Sequence, residues 1–160
     1  MEPQPNPDDA KEKSLPVWAR LGVVACWLAI GYFASTARFS GEHTRPLLAR
    51  VVRAVGLPDG LIDVLNLALR KTAHLCEYAG LAAIVVWVIA GVRSAGVRRN
   101  WFWIALAAVA LAGALDEFHQ SFEPGRDSSL RDVLIDVCGG LLLLVPLAVW
   151  RRKQTMKDEG

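Results

Sequence analysis

Four stretches of this chain are apolar enough to cross a bilayer, and three of them meet a dense cluster of ionisable residues at one end. The stretches lie at roughly 16–35, 73–92, 101–119 and 130–150, each close to the ~20 apolar residues that a hydrocarbon core requires. With 53% hydrophobic residues and a mean hydropathy of +0.30 over 160 residues, the chain is too apolar for an ordinary soluble domain of this size. The expected fold is all-α: a polytopic membrane protein with four transmembrane helices in one bundle. Residues 1–14 are polar and lack apolar periodicity, so they are expected to form a disordered cytoplasmic tail. Residues 15–153 then form the membrane domain and 154–160 a second cytoplasmic tail.

Charge sets the expected sidedness. With both termini cytoplasmic, the inner side carries Lys11, Lys13, Arg20, Arg93, Arg98, Arg99, Arg151, Arg152, Lys153 and Lys157, ten basic residues against eight on the outer side. Each inner segment has basic residues close to a span end, as the positive-inside rule requires. The alternative, a first span that is a cleaved signal peptide ending near Ala34-Ser35-Thr36-Ala37, is opposed by the long acidic approach to it and leaves the later sidedness unchanged. Cys26, Cys76 and Cys138 fall inside predicted spans without metal-ligand spacing and read as buried thiols.

The connection between the first two spans is patterned. Residues 45–53 place arginines on one helical side and aliphatics on the other, Gly56-Leu57-Pro58-Asp59-Gly60 breaks the helix, and 61–69 predicts a second short helix. Both are expected at the outer membrane interface.

The clusters themselves are Arg70 to Tyr78, Asp116 to Gln120 leading to Pro124-Gly125-Arg126, and Ser129 to Asp136. Helical residues three and four apart share a face, so Lys71, His74 and Glu77 or Tyr78 form one stripe and Asp116, His119 and Gln120 another. Glu117 points about 100° away from that second stripe, and Asp132, Asp136 and Gly140 line a third. The topology puts all three stripes in the same half of the bundle. Ionisable groups at membrane depth are costly and serve as functional-site hypotheses.

In order and spacing these motifs resemble the VanZ-like membrane proteins: Arg70-Lys71-x-x-His74-x-x-Glu77-Tyr78, Asp116-Glu117-x-His119-Gln120-x-Phe122-x-Pro124-Gly125-Arg126, and Asp132-x-x-x-Asp136-x-x-Gly139, over about residues 60–140. The family is named for a protein associated with low-level resistance to the glycopeptide teicoplanin. The resemblance implies a multi-pass protein of the bacterial cytoplasmic (inner) membrane and a link to the cell envelope and to that resistance, but carries no molecular activity.

The reading of the residues is a polar pocket facing outward that acts on or binds an anionic cell-envelope component, such as a lipid-linked phosphate or wall-precursor group. His74, Glu77, Asp116, Glu117 and His119 are the candidate proton-transfer groups, histidine being the side chain that titrates near neutrality. Lys71, Tyr78, Gln120, Arg126, Asp132 and Asp136 are the candidate ligand-binding groups, with Arg126 and Lys71 holding the anion.

Structural alternatives stand beside each assignment. Asp132 fits a capping box begun by Ser129, Tyr78 fits an interfacial aromatic, Arg70 fits a snorkelling side chain, Asp136 fits an ion pair, and either histidine fits an interhelical hydrogen bond. No His-Glu-x-x-His motif or cysteine pair supports a metal, and neither metal nor cofactor is assigned. The bilayer is the expected partner, with nucleic acid excluded. Two other functions remain open: a small proton-coupled transporter or flippase, and a structural membrane factor without catalysis.

Overall fold

The computed structural model describes residues 15–34, 41–122 and 129–158. Among them, secondary structure is helical throughout: α1 Val17–Ala34, α2 Gly41–Ala54, α3 Leu61–Ala90, α4 Ala95–Arg99, α5 Trp101–Gln120 and α6 Leu130–Asp158. Three helices, α3, α5 and α6, are long and apolar enough to cross a membrane, and α1 is a shorter apolar helix. An all-helical membrane bundle follows, with three long apolar helices and a shorter one.

One expected boundary is corrected. The short helix predicted at 61–69 and the span predicted at 73–92 are a single 30-residue helix, α3. No glycine or proline interrupts the chain between Leu61 and Ala79, and the polar run Arg70-Lys71-Thr72 supplies residues that a helix accommodates. At 1.5 Å per residue α3 is about 45 Å long, well beyond a hydrocarbon core of about 30 Å. Similarly, α6 continues past the basic anchor to Asp158. A further short helix, α4, occupies the basic connection after α3, with Ser94 Oγ accepting from the Val97 amide and Arg98 donating to the carbonyls of Val92 and Arg93 at 2.8 and 2.9 Å.

At the centre of the bundle, α3 packs against α1, α2, α5 and α6. The core joins Tyr78, Leu81, Ala82, Val86 and Ile89 of α3 to Ala105 and Val109 of α5 and Leu144 of α6. Small residues set the spacing, as expected where lipid supplies no hydrophobic drive between helices. A Cβ on Gly139 would lie 2.6 Å from the Leu75 carbonyl oxygen, so α6 rests directly on the α3 backbone. The three cysteines are free but exposed on outward faces, which corrects their expected burial.

The polar connection folds back on α3. Gly56 adopts φ 74° and closes α2 with paired bonds, Leu57 N–H to Val52 O and Gly56 N–H to Arg53 O, the left-handed stop for which glycine is suited. Buried Val52 and Ile62 belong to this pair, and Arg45–Asp63 at 2.7 Å and Arg53–Asp59 at 3.0 Å brace it. The Arg53 guanidinium holds the Asp59 carboxyl below its ordinary range. At the opposite end of the bundle, Arg20 of α1 donates to the Trp87 carbonyl at 2.9 Å and lies over the Trp87 ring, while Arg151 of α6 lies over Trp101.

Candidate functional site

The polar residues of α3, α5 and α6 gather at one end of the bundle, because each stripe faces its neighbour. Between α3 and α6, His74 Nδ1 lies 3.0 Å from Asp136 Oδ1. With an ionised Asp136 accepting, Nδ1 carries the proton, leaving Nε2 as the other tautomeric position. Asp136 is fully buried. It fits there because the neighbouring α5 residue is Gly113, where a Cβ would come within 3.0 Å of Asp136 Oδ2. The Tyr78 hydroxyl faces the same acid, and the Tyr78 ring lies nearly parallel to that of His74 with centroids 6.4 Å apart. Tyr78 is buried inside the bundle, which places it away from the lipid-facing position of an interfacial aromatic.

One turn towards the α6 start, Lys71 and Asp132 form an ion pair. Both are expected to bind ligand; here they bind each other. Asp132 does not perform the capping of α6. Glu117 does: its Oε2 accepts the Ser129 amide at 2.8 Å, and Ser129 Oγ accepts from the Arg131 amide at 3.2 Å. Glu117, pointing away from the Asp116 stripe as its helical phase requires, thus joins α5 to the head of α6. On the Asp116 stripe, Gln120 donates to Asp116 Oδ2 at 2.7 Å. Arg126, with Pro124 and Gly125, lies outside the described residues.

A cavity of about 620 Å³ opens beside this cluster, between α1, α3 and α5. Glu77, Tyr78, Asp116 and His119 form its polar end. Lys71, His74, Glu117, Gln120, Asp132 and Asp136 do not line it. The candidate residues therefore separate into a cavity group and a second group on α3, α5 and α6 beside it, of which Glu117, Gln120 and Asp136 are buried. Among the described residues, no group of three or more His, Cys, Asp or Glu is disposed to hold a metal ion.

Four residues of the site escape the motif reading. Trp27 donates from its indole nitrogen to the Glu77 carbonyl at 3.3 Å, and Gly31, one turn on, leaves the space that the Glu77 carboxylate fills. Tyr32 packs its ring against His119, centroids 4.3 Å apart, bridging α1 to α5 at the polar end. Gly113 makes room for Asp136. The available signal was the spacing of Trp27 and Gly31, which puts an aromatic donor and a gap on one face of α1.

The family model described as VanZ/LLP1 matches residues 20–151. No curated protein and no solved structure matches the chain. With the match running from α1 into α6 and so enclosing every polar group described above, the chain belongs to the VanZ/LLP1 family.

Proposed function

We propose that this membrane protein uses the cavity and its polar end to bind, and to act by proton transfer on, an anionic component of the cell envelope reached from the extracytoplasmic side. The observation that carries the reading is the placement of the His74–Asp136 pair directly behind a cavity whose polar lining is Glu77, Tyr78, Asp116 and His119. Its volume falls within the ~300–1,000 Å³ typical of small-ligand sites.

Lys71 is engaged by Asp132, so holding the anion falls to His119 and to Arg126. An anion entering beside Glu77 and Asp116 would meet their negative charge, and in this reading His74, held by Asp136, exchanges the proton that relieves it. In this reading α1 is the fourth span: its 18 residues reach about 27 Å, the short end of what crosses a bilayer. Both termini are then cytoplasmic in the bacterial inner membrane. A one-sided site is favoured over a transport path, because Ala82–Val92 and Trp101–Leu111 hold no ionisable residue.

The test is lipid and wall-precursor profiling of cells carrying the parent chain, His119→Ala or Asp136→Asn, with membrane abundance measured beside it and teicoplanin susceptibility as a second readout. Loss of a working acid or base reduces rate by about 10²–10⁴-fold, so both variants should lose the envelope change while the protein still accumulates. Reduced accumulation with unchanged activity per molecule would assign the polar groups to scaffolding instead.

A further inference from the structure

The cavity is polar at one end only. On α5 its wall runs from Ala108 through Leu111, Ala112 and Leu115 to Asp116 and His119, and on α3 from Leu81 to Tyr78 and Glu77. Ala108 to His119 spans about 16 Å along the helix axis, so the apolar part extends from the polar cluster to near the middle of α5. Tyr32 and His119 join α1 to α5 at the polar end. Below that bridge, Leu28 of α1 and Leu111 and Leu115 of α5 are 44%, 63% and 58% exposed. Within a bilayer these open edges meet acyl chains rather than water.

We infer that the cavity takes a membrane lipid by one of its chains, which lies in the slot between α1 and α5 while the head group reaches Glu77, Asp116 and His119. This rests on the reading above that the polar end engages an envelope component, and it specifies that component as an amphiphile entering sideways from the leaflet. Segregation of polar and apolar lining fixes its direction: head towards His119, chain towards Ala108. A water-soluble anion would use the polar end and leave the apolar part of the slot without a role. The depth of the slot selects chain length, and Ala108 sits where the chain ends.

The experiment uses the full chain in nanodiscs containing a single-chain phospholipid with a diazirine near the middle of its alkyl chain. Photolabel is expected on the α1 and α5 peptides that contain Leu28 and Leu111. Ala108→Trp should fill the end of the slot and cut that labelling by about tenfold, equivalent to about 1.4 kcal/mol of binding. Leu28→Trp, on a partly exposed wall where folding tolerates bulk, provides a second fill from the other side. Ala107→Trp, one residue along on an exposed face outside the cavity lining, should leave labelling unchanged. Label spread evenly over the outward faces of all helices and insensitive to both filling variants would overturn the inference, as would cross-links showing a second copy of the chain seated in the slot. The two readings fail separately. Slot labelling that disappears in the filling variants, in cells whose envelope is unchanged by His119→Ala, overturns the proposed function and keeps the lipid slot. A lost envelope change without slot labelling does the reverse.

Discussion

Replacing Gly139 with alanine should separate α6 from α3 and weaken the buried polar pair one turn away. The added Cβ would lie 2.6 Å from Leu75 O, 2.9 Å from Leu75 Cα and 3.1 Å from its carbonyl carbon. All three are backbone atoms of a continuous helix, so no rotamer change relieves them. Ordinary contact begins at 3.4 Å, and the helices must part by about 0.8 Å to reach it. Carried to Asp136, that movement would stretch the 3.0 Å contact with His74 to about 3.8 Å, beyond hydrogen-bond range. Overpacking of this kind costs about 1–3 kcal/mol, and the lost interhelical polar contact adds about 0.6 kcal/mol on the membrane average. Gly140→Ala is the matched control. Its Cβ would meet the Val109 side chain at 2.9 Å, and a side chain yields where a backbone does not, so the cost should be smaller. Reversible unfolding in mixed micelles measures both variants. A Gly139→Ala protein within about 0.5 kcal/mol of the parent, or a Gly140→Ala protein destabilised more than it, would refute the backbone-contact argument.

Other consequences are checked independently. Arg20→Ala removes both the bond to the Trp87 carbonyl and the ring contact that hold α1 to α3; a drop of about 1–2 kcal/mol in the same unfolding assay is expected. Gly80→Leu places bulk where even a Cβ meets the Trp27 ring at 2.5 Å, so α1 should lose its seat and protease protection while α3, α5 and α6 remain associated. The Arg53–Asp59 pair gives a pH signature: because Asp59 titrates below its ordinary value of 3.8, its contribution is present above that value and disappears as pH falls through the lower folded one. Hydrogen exchange of the 56–60 turn should therefore accelerate only in that acid range, and acceleration beginning near neutrality would contradict it. After removal of the native cysteines, Glu123→Cys should react with an impermeant thiol reagent in intact cells and Gln154→Cys should not; the reverse pattern would overturn the proposed topology.

Much of this arrangement was legible in the residues because it depends on helical phase. The i, i+3, i+4 stripes containing His74, Asp116 and Asp136 predict which faces meet, and α3, α5 and α6 bring them together. The continuity of α3 was harder to see, since a polar run such as Arg70-Lys71-Thr72 looks like a boundary when hydropathy alone marks the span. Helix termination depends instead on glycine, proline and capping, none of which occurs there. The exchange of partners was also hidden. Lys71 with Asp132, and Glu117 with the Ser129 amide, join residues distant in sequence, and local pattern offered the simpler capping box at Ser129–Asp132. The contribution of α1 was least visible: Trp27, Gly31 and Tyr32 shape the cavity without any charged residue to mark them. A glycine that makes room for a carboxylate has the same letter as one that merely packs helices.

The central claim is that polar residues from separate helices meet inside the bundle as one site, and the His74–Asp136 contact tests it most directly. In uniformly labelled protein reconstituted in bilayers, solid-state NMR should give a correlation between the His74 Nδ1 and the Asp136 carboxyl carbon, as a 3.0 Å nitrogen–oxygen contact requires. Asp136→Asn should shift the His74 ring resonances. A His74 ring that correlates only with lipid acyl chains and does not respond to Asp136→Asn would contradict the account.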